Sequence, residues 1–320
     1  MKMKNTSIIK RTATVFAPAT VANVGCGFDI MGFALDDPGD KVTITIADTG
    51  SCHLTTSGPY GQLVPVEPDR NTAAVAVASY LGKVGTHDLI FDIHLEKNMP
   101  LGSGMGSSAA SAAAAVYAIN YLLDNPLSVE DLVIHAMEGE RVACGTAHAD
   151  NVAPSLLGGF LLIRSHNPPD IVKVTCPRDL YCALVHPHIE LKTSDARRIL
   201  RSEFPLGDVT RQTANTAAFM TGLLTGDYGL IARSVDDFIA EPRRIMLIPG
   251  FEAVRKAALD SGALSCSISG SGPSLFSLCR GRDAAERAAI AMQAAFERCG
   301  LASDLFISTL NEPGARTIVP

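Results

Sequence analysis

The eight cysteines of this 320-residue sequence include no C-x-x-C pair. They are scattered through apolar stretches, as at Cys266 and Cys279. That spacing excludes a zinc-ribbon or redox motif and points to small buried thiols in a reducing cytoplasm. Positive charge is also short. Lys and Arg number 27 against 33 Asp and Glu, a net charge of −6, so no nucleic acid is expected as a partner. The longest apolar run, residues 109–123, is broken by Ser111 and Asn120 and is too short to span a bilayer, so no membrane is expected either. Residues 1–11 are basic, but no apolar stretch follows them as in a signal peptide. Three common signatures are missing. There is no G-x-x-x-x-G-K-[ST] loop, no G-x-G-x-x-G fingerprint, and no G-x-S-x-G elbow of an α/β-hydrolase. His186 and His188 have no third ligand at metal spacing and read as structural or solvated.

What is present alternates strand and helix patterns. Residues 12–16, 41–47 and 89–95 alternate apolar and polar as strands do, and 158–164 is a further apolar strand. Residues 71–81, the Ala-rich run to about Asp124, and 128–144 read as helices, the last capped by Ser128 with Glu130 and Asp131 in its first turn. The breaker cluster Asn167-Pro168-Pro169-Asp170 suggests a boundary, giving domains of residues 1–166 and 167–320. Beyond it lie strand 180–186, three helical stretches (194–202, 208–224, 228–240), helix 251–260, strands 264–269 and 274–279, helix 283–299 and strand 305–310. With the three helices set aside, this half has the β-α-β-β-α-β order of a split, ferredoxin-like unit.

The strongest local signal is P-L-G-S-G-M-G-S-S-A-A-S at residues 100–111, where Gly102, Gly104 and Gly106 alternate with small residues directly before the Ala-rich helix. Alternating glycines let several N–H groups converge, and the helix start adds unsatisfied donors and the positive end of its dipole. This is a phosphate cradle in physical terms; the plainer alternative is a flexible linker capped by Ser107. Ser107 and Ser108 place hydroxyls where one can bind phosphate and another can ligate Mg²⁺. Two further Gly-rich turns, residues 23–29 and 269–274, are weak alone, since turns need glycine anyway. Three such turns in one chain suggest a shared pocket. His148-Ala149-Asp150-Asn151 packs a histidine, an acid and an amide into four residues, and an Asx-type turn is an equal reading.

In this order the three segments, A-P-A-T-V-A-N-V-G-C-G-F-D (17–29), 100–111 and S-I-S-G-S-G-P-S (267–274), resemble the motifs of the GHMP small-molecule kinases. Within that superfamily N-V-G-C-G-F-D, H-A-D-N-V-A-P (148–154), K-T-S-D-A-R (192–197) and E-P-R-R-I-M-L-I-P-G (241–250) look like the homoserine kinase branch. The sugar and mevalonate branches carry a Lys and a catalytic Asp where this sequence has Thr20 and Asn151, so the usual general-base pair is not expected.

The resemblance implies an α+β, two-domain fold with a ribosomal-protein-like N-terminal domain and a ferredoxin-like C-terminal domain. It implies phosphorylation of L-homoserine by ATP with Mg, as a step of threonine biosynthesis, in a cytoplasmic homodimer. Asn71 and the loop Pro100, Leu101, Gly102, Ser103, Gly104, Met105, Gly106, Ser107 and Ser108 are expected to bind the nucleotide. Ser108 and Glu140 would hold the metal. Asn23 and Asn151 would hold the attacking alcohol in line. Arg197 and Arg244 would take the acceptor's carboxylate, and Thr193 would orient the acceptor or the γ-phosphate. Asp29 is the first choice for the acceptor's ammonium and Asp150 the second. A kinase of this superfamily acting on another alcohol, or a non-catalytic sensor on the same fold, stands as the alternative.

Overall fold

The computed structural model describes residues 10–86, 88–145 and 148–318, apart from the side chain of Cys144. The basic N-terminal stretch, except its last two residues, lies outside them. The first part of the chain runs β1 (Thr12–Ala22), β2 (Met31–Ile46), β3 (His53–Ser57), α1 (Thr72–Val84), β4 (Phe91–Glu96), α2 (Ser107–Leu122), α3 (Val129–Cys144), α4 (Ala149–Leu157), β5 (Phe160–His166) and β6 (Pro169–Val174). The second runs β7 (Leu180–Pro187), α5 (Thr193–Arg198), α6 (Leu206–Thr225), α7 (Tyr228–Ala232), α8 (Glu241–Arg244), α9 (Phe251–Asp260), β8 (Ser265–Ile268), β9 (Leu275–Arg280), α10 (Arg282–Arg298), β10 (Ser303–Thr309) and β11 (Arg316–Ile318).

The first sheet has seven strands in the order β11-β1-β2-β4-β3, with β5 on the other stretch of β2 and β6 on β5. Among the described strands, only β3 and β4 pair in parallel, across α1. Helix α2 packs on β1 and β2 and against α1 and α3. Thirteen of its sixteen residues are buried, which its alanines permit, because small side chains let sheet and helices approach it from every side. The N-terminus of α2 is therefore held in the interior. Asn71 caps α1 and Ser128 caps α3 by accepting from backbone N–H groups, and Gly85 and Gly145 end them in the left-handed conformation. The second sheet, β10-β7-β9-β8, is antiparallel throughout, the expected split β-α-β-β-α-β order, with α9 and α10 packed on it. The two sheets meet through Phe33, which stacks on Phe160 and meets Phe276 edge-on.

Several expectations shift. The 167–170 cluster is the turn of the β5–β6 hairpin, and both strands belong to the first sheet. The chain passes to the second sheet at residues 175–179 and returns to the first with β11. Strand β2 begins at Met31, ten residues before the alternating run at Lys41, because Asp36-Asp37-Pro38 interrupts the pattern while the register with β1 shifts between Pro18 and Thr20. The helix expected over 228–240 stops at Ala232, and the one expected over 194–202 covers Thr193–Arg198 alone. Residues 149–157 form a helix rather than an isolated turn. Of seven described cysteines, five are buried, while Cys52 and Cys299 are exposed.

Candidate active site

Both halves of the molecule line one cavity of about 520 Å³. Its cradle end is the loop before α2. Gly102, Gly104 and Gly106 all have positive φ there. At Gly106 (φ 67°) a Cβ would stand 2.2 Å from Thr20 Oγ1 and 2.9 Å from Asn151 Oδ1. At Gly104 (φ 77°) it would stand 2.5 Å from the Ser269 carbonyl oxygen, so neither position admits a side chain. The loop is held from behind by protein donors. Thr20 N–H donates to the Met105 carbonyl at 3.0 Å. Ser274 donates to the Ser103 carbonyl from both N–H (3.2 Å) and Oγ (2.6 Å), and Ser269 Oγ donates to the Gly104 carbonyl at 2.7 Å. Much of the third Gly-rich turn is thus a clamp on the second.

Leu101, Gly102, Ser103, Gly104, Gly106, Ser107 and Ser108 line the cavity, as does Glu140, which reaches it from α3 and is 7% exposed. Three of the expected nucleotide residues do not. Pro100 is outside the lining, and Met105 is fully buried in the core. Asn71 spends its side chain on structure. Its Oδ1 accepts from Ala73 and Ala74 N–H at 3.0 and 3.2 Å, and its Nδ2 donates to the Pro65 carbonyl at 2.7 Å. Pro65 and Arg70, which the sequence reading missed, line the cavity in its place.

The rest of the lining is largely charged. Arg197 from α5 grips Asp29 with two parallel hydrogen bonds of 2.8 and 3.1 Å. Arg244 from α8 is 3% exposed and donates to the carbonyls of Gly270 (2.9 Å) and Ala196 (3.3 Å). Both guanidinium groups flank the Phe28 ring. Asn23, in the left-handed region with Val24 and Asp29, donates to the Gly270 carbonyl at 2.7 Å and accepts from Asp29 N–H at 2.9 Å. That ties the first Gly-rich turn to the third. Thr193 shares a hydrogen bond with Ser271 Oγ at 3.3 Å. Asn151 Oδ1 accepts from Thr20 Oγ1 at 2.7 Å, directly over Gly106. Asp150 is 3% exposed, and burial, then the charge of Asp29, push its carboxyl up to about 7 against the pull of Arg197. Burial lowers His148, whose Nδ1 lies 3.7 Å from Asp29, and burial lowers Arg244.

Every expected acceptor residue therefore lines one surface. The sequence reading left unassigned His148, Lys192 and Ser271, which share it. All three lie inside quoted motifs, so the motif boundaries pointed to them without giving a role.

The cradle fits a phosphate chain on its glycine conformations and helix start. The donors beside it fit magnesium, since the Ser108 hydroxyl and the Glu140 carboxylate are hard oxygens. Among the described residues no group of three His, Cys, Asp or Glu could hold a metal, so an ion here would share the phosphate oxygens.

Comparison with known proteins gives the family. The chain matches the family models "GHMP kinases N terminal domain" over residues 71–159 and "GHMP kinases C terminal" over residues 219–298. It is 49% identical to the homoserine kinase of Chlorobaculum tepidum over 319 residues, covering 96% of this chain and 98% of that one. It is 50% identical to that of Chlorobium phaeovibrioides over 316 residues, covering 95% and 98%. The crystal structure of homoserine kinase from Cytophaga hutchinsonii superposes with a TM-score of 0.93 at 48% identity, covering 99% of this chain and 100% of that one. The two-domain α+β fold, the order of its three Gly-rich motifs and these full-length likenesses agree: the chain belongs to the homoserine kinase family of GHMP kinases.

Proposed function

We propose that this chain transfers the γ-phosphoryl group of ATP to the side-chain hydroxyl of L-homoserine, giving O-phospho-L-homoserine for threonine biosynthesis. The observation that carries the reading is a single cavity whose lining joins the phosphate cradle to Arg197, Arg244, Asp29 and Asp150. A free amino acid is a zwitterion, and Asp29 with Arg197 presents the two opposite charges that would meet its ammonium and carboxylate. Arg244 adds a second planar donor for the carboxylate. Asp150 is the second carboxylate within the same lining.

Phosphoryl transfer has a loose transition state and asks mainly for positioning and charge neutralisation. Bound Mg²⁺ would supply part of that neutralisation, with Ser108 and Glu140 as its protein ligands. The N–H groups of the cradle and the start of α2 would orient the phosphates. Asn151 and Asn23 would hold the alcohol in line, and Thr193 would steer the acceptor or the terminal phosphate. Neither Thr20 nor Asn151 ionises, so in this reading holding the hydroxyl there takes the place of a strong base. Fixing the two reactants in this way can supply on the order of 7–11 kcal/mol.

The reading carries with it a cytoplasmic homodimer that uses neither nucleic acid nor membrane. No described helix is long and apolar enough to cross a bilayer. Coupled ADP release with Mg-ATP tests the reading against L-homoserine, L-serine, L-threonine, mevalonate, galactose and shikimate. Turnover with L-homoserine alone, phosphorylated on its side-chain oxygen, is expected. Turnover with another alcohol only would overturn the roles of Arg197 and Arg244. Nucleotide binding without turnover would make the chain a sensor.

A further inference from the structure

Beside the cradle loop, outside the cavity lining, lies a buried charge pair that no sequence motif announces. Lys97 is 1% exposed and Asp40 fully buried, and neither lines the cavity. Lys97 Nζ donates to Asp40 Oδ2, to the Ser107 carbonyl at 2.6 Å and to Ser111 Oγ at 2.9 Å. Ser111 Oγ donates in turn to Asp40 Oδ2 at 2.9 Å. The other carboxylate oxygen accepts from the N–H groups of Asn98 (2.9 Å) and Met99 (3.2 Å). Ser107 Oγ donates back to the Met99 carbonyl at 3.2 Å.

These bonds join the two ends of one loop. Asp40 holds the backbone where the loop leaves β4, and Lys97 holds it where the loop enters α2. Between these anchors stand the three glycines with positive φ. Burying two charges costs more desolvation than an apolar pair would, so the arrangement is a poor way to gain stability alone. It is a good way to fix a geometry, because both ions can be satisfied only when both loop ends are in place.

We propose that Lys97 and Asp40, with Ser111, are positioning residues for the nucleotide. They brace the loop 99–107 in its anion-ready shape without touching the ligand. The proposal rests on the cradle being the phosphate site.

The test compares the wild type with the charge-free pair Asp40→Asn/Lys97→Met and with Ser111→Ala, which keeps the ion pair. The readouts are the thermal midpoint of the free protein, the Kd for Mg-ADP, the KM for L-homoserine, and hydrogen exchange of the amides at 102–108. The double variant strands no buried charge. Its midpoint should stay near the wild type's while Mg-ADP binds on the order of tenfold more weakly, loop amides exchange faster and the homoserine KM holds. Ser111→Ala should weaken Mg-ADP by about three- to fivefold, the loss of one or two hydrogen bonds. Wild-type nucleotide affinity and loop protection in the double variant, or in Ser111→Ala should the double variant not fold, would overturn the brace. If the wild type itself binds no Mg-ADP, the reading of the cradle falls, and exchange at 102–108 still decides whether the pair holds the loop.

Discussion

At its cradle the cavity presents mainly backbone and hydroxyls, with the Glu140 carboxylate beside them. Three glycines, the first turn of α2 and serine side chains line it, and other serines clamp it from behind. At its other end it presents charged side chains delivered by separate elements: Asp29 from the turn after β1, Asp150 from α4, Arg197 from α5 and Arg244 from α8. Apart from Glu140, the first is contiguous in sequence, and its shape follows from residue types at fixed spacing. The second is assembled from positions more than two hundred residues apart. Backbone donors suit a ligand whose charge is large and delocalised. Paired side chains suit one whose two opposite charges must be told apart from those of other small molecules.

The two ends should therefore break differently. The largest effect is expected from Gly106→Val. A β-branched residue forced to positive φ costs about 1–3 kcal/mol. The overpacking against Thr20 and Asn151 costs about as much again. Nucleotide affinity should fall on the order of a hundredfold or more by calorimetry. L-homoserine binding, measured the same way, should fall far less, and only through the displaced Asn151. Equal losses for both ligands would mean that the two ends are one unit.

Arg244→Ala is the reciprocal experiment. It removes a buried guanidinium, takes that donor from the Ala196 carbonyl and leaves the Gly270 carbonyl to Asn23 alone. Truncating a buried charged partner typically costs about 2–5 kcal/mol, so the KM for L-homoserine should rise by about thirtyfold or more while that for ATP changes little. Arg244→Lys keeps the charge and loses the planar fork, and it should fall between the two. An unchanged homoserine KM in steady-state assays would remove Arg244 from the carboxylate site.

The same contrast explains what could be read in advance. The cradle, the long helices and the ferredoxin-like strand order were legible because each is local: a glycine spacing, an alanine run, an alternating strand. The grouping of Asp29, Arg197 and Arg244 was not legible from spacing, and only the resemblance of four motifs placed them together. The first half of β2 was hidden by Asp36-Asp37-Pro38, which mimics a loop, and β11 by its three-residue length. The 167–170 breaker marks a hairpin because proline and asparagine punctuate turns inside a domain as readily as linkers between domains. Lys97 and Asp40 carry no signal at all. Fifty-seven positions separate them, and a lone lysine in a sequence looks solvated.

A smaller effect is expected with pH at the charged end. The Asp150 carboxyl is pushed up to about 7 by burial and by Asp29. Its folded-state value thus lies above the ordinary value near 3.8. Its contribution to stability is therefore complete below about 4 and lost as pH rises through about 7. For binding the sign reverses. A substrate ammonium favours the ionised carboxylate, directly or by neutralising Asp29, so L-homoserine binding near neutral pH should draw a proton off Asp150. The homoserine KM should fall severalfold from pH 6 to pH 8, and the profile should flatten in Asp150→Asn. The ATP KM should show no matching change over that range. A profile unaltered in Asp150→Asn would assign the titration to another group.

The smallest effect separates a contact from a cap. Asn71 was expected at the nucleotide, yet its side chain closes the start of α1 and holds the Pro65 carbonyl, and Pro65 lines the cavity. If capping is its work, Asn71→Ala should cost about 1 kcal/mol of stability, and Asn71→Asp, an equally good cap, should recover most of it. Mg-ADP affinity should follow the cap, falling by a few-fold in the alanine variant and returning in the aspartate variant except for what the lost bond to Pro65 contributed. A direct contact predicts the opposite order, because a carboxylate beside a nucleotide is worse than no side chain at all. Weaker binding in a stable Asn71→Asp than in Asn71→Ala would return Asn71 to the lining of the site. The cradle end would then depend on a side chain as well as on its backbone.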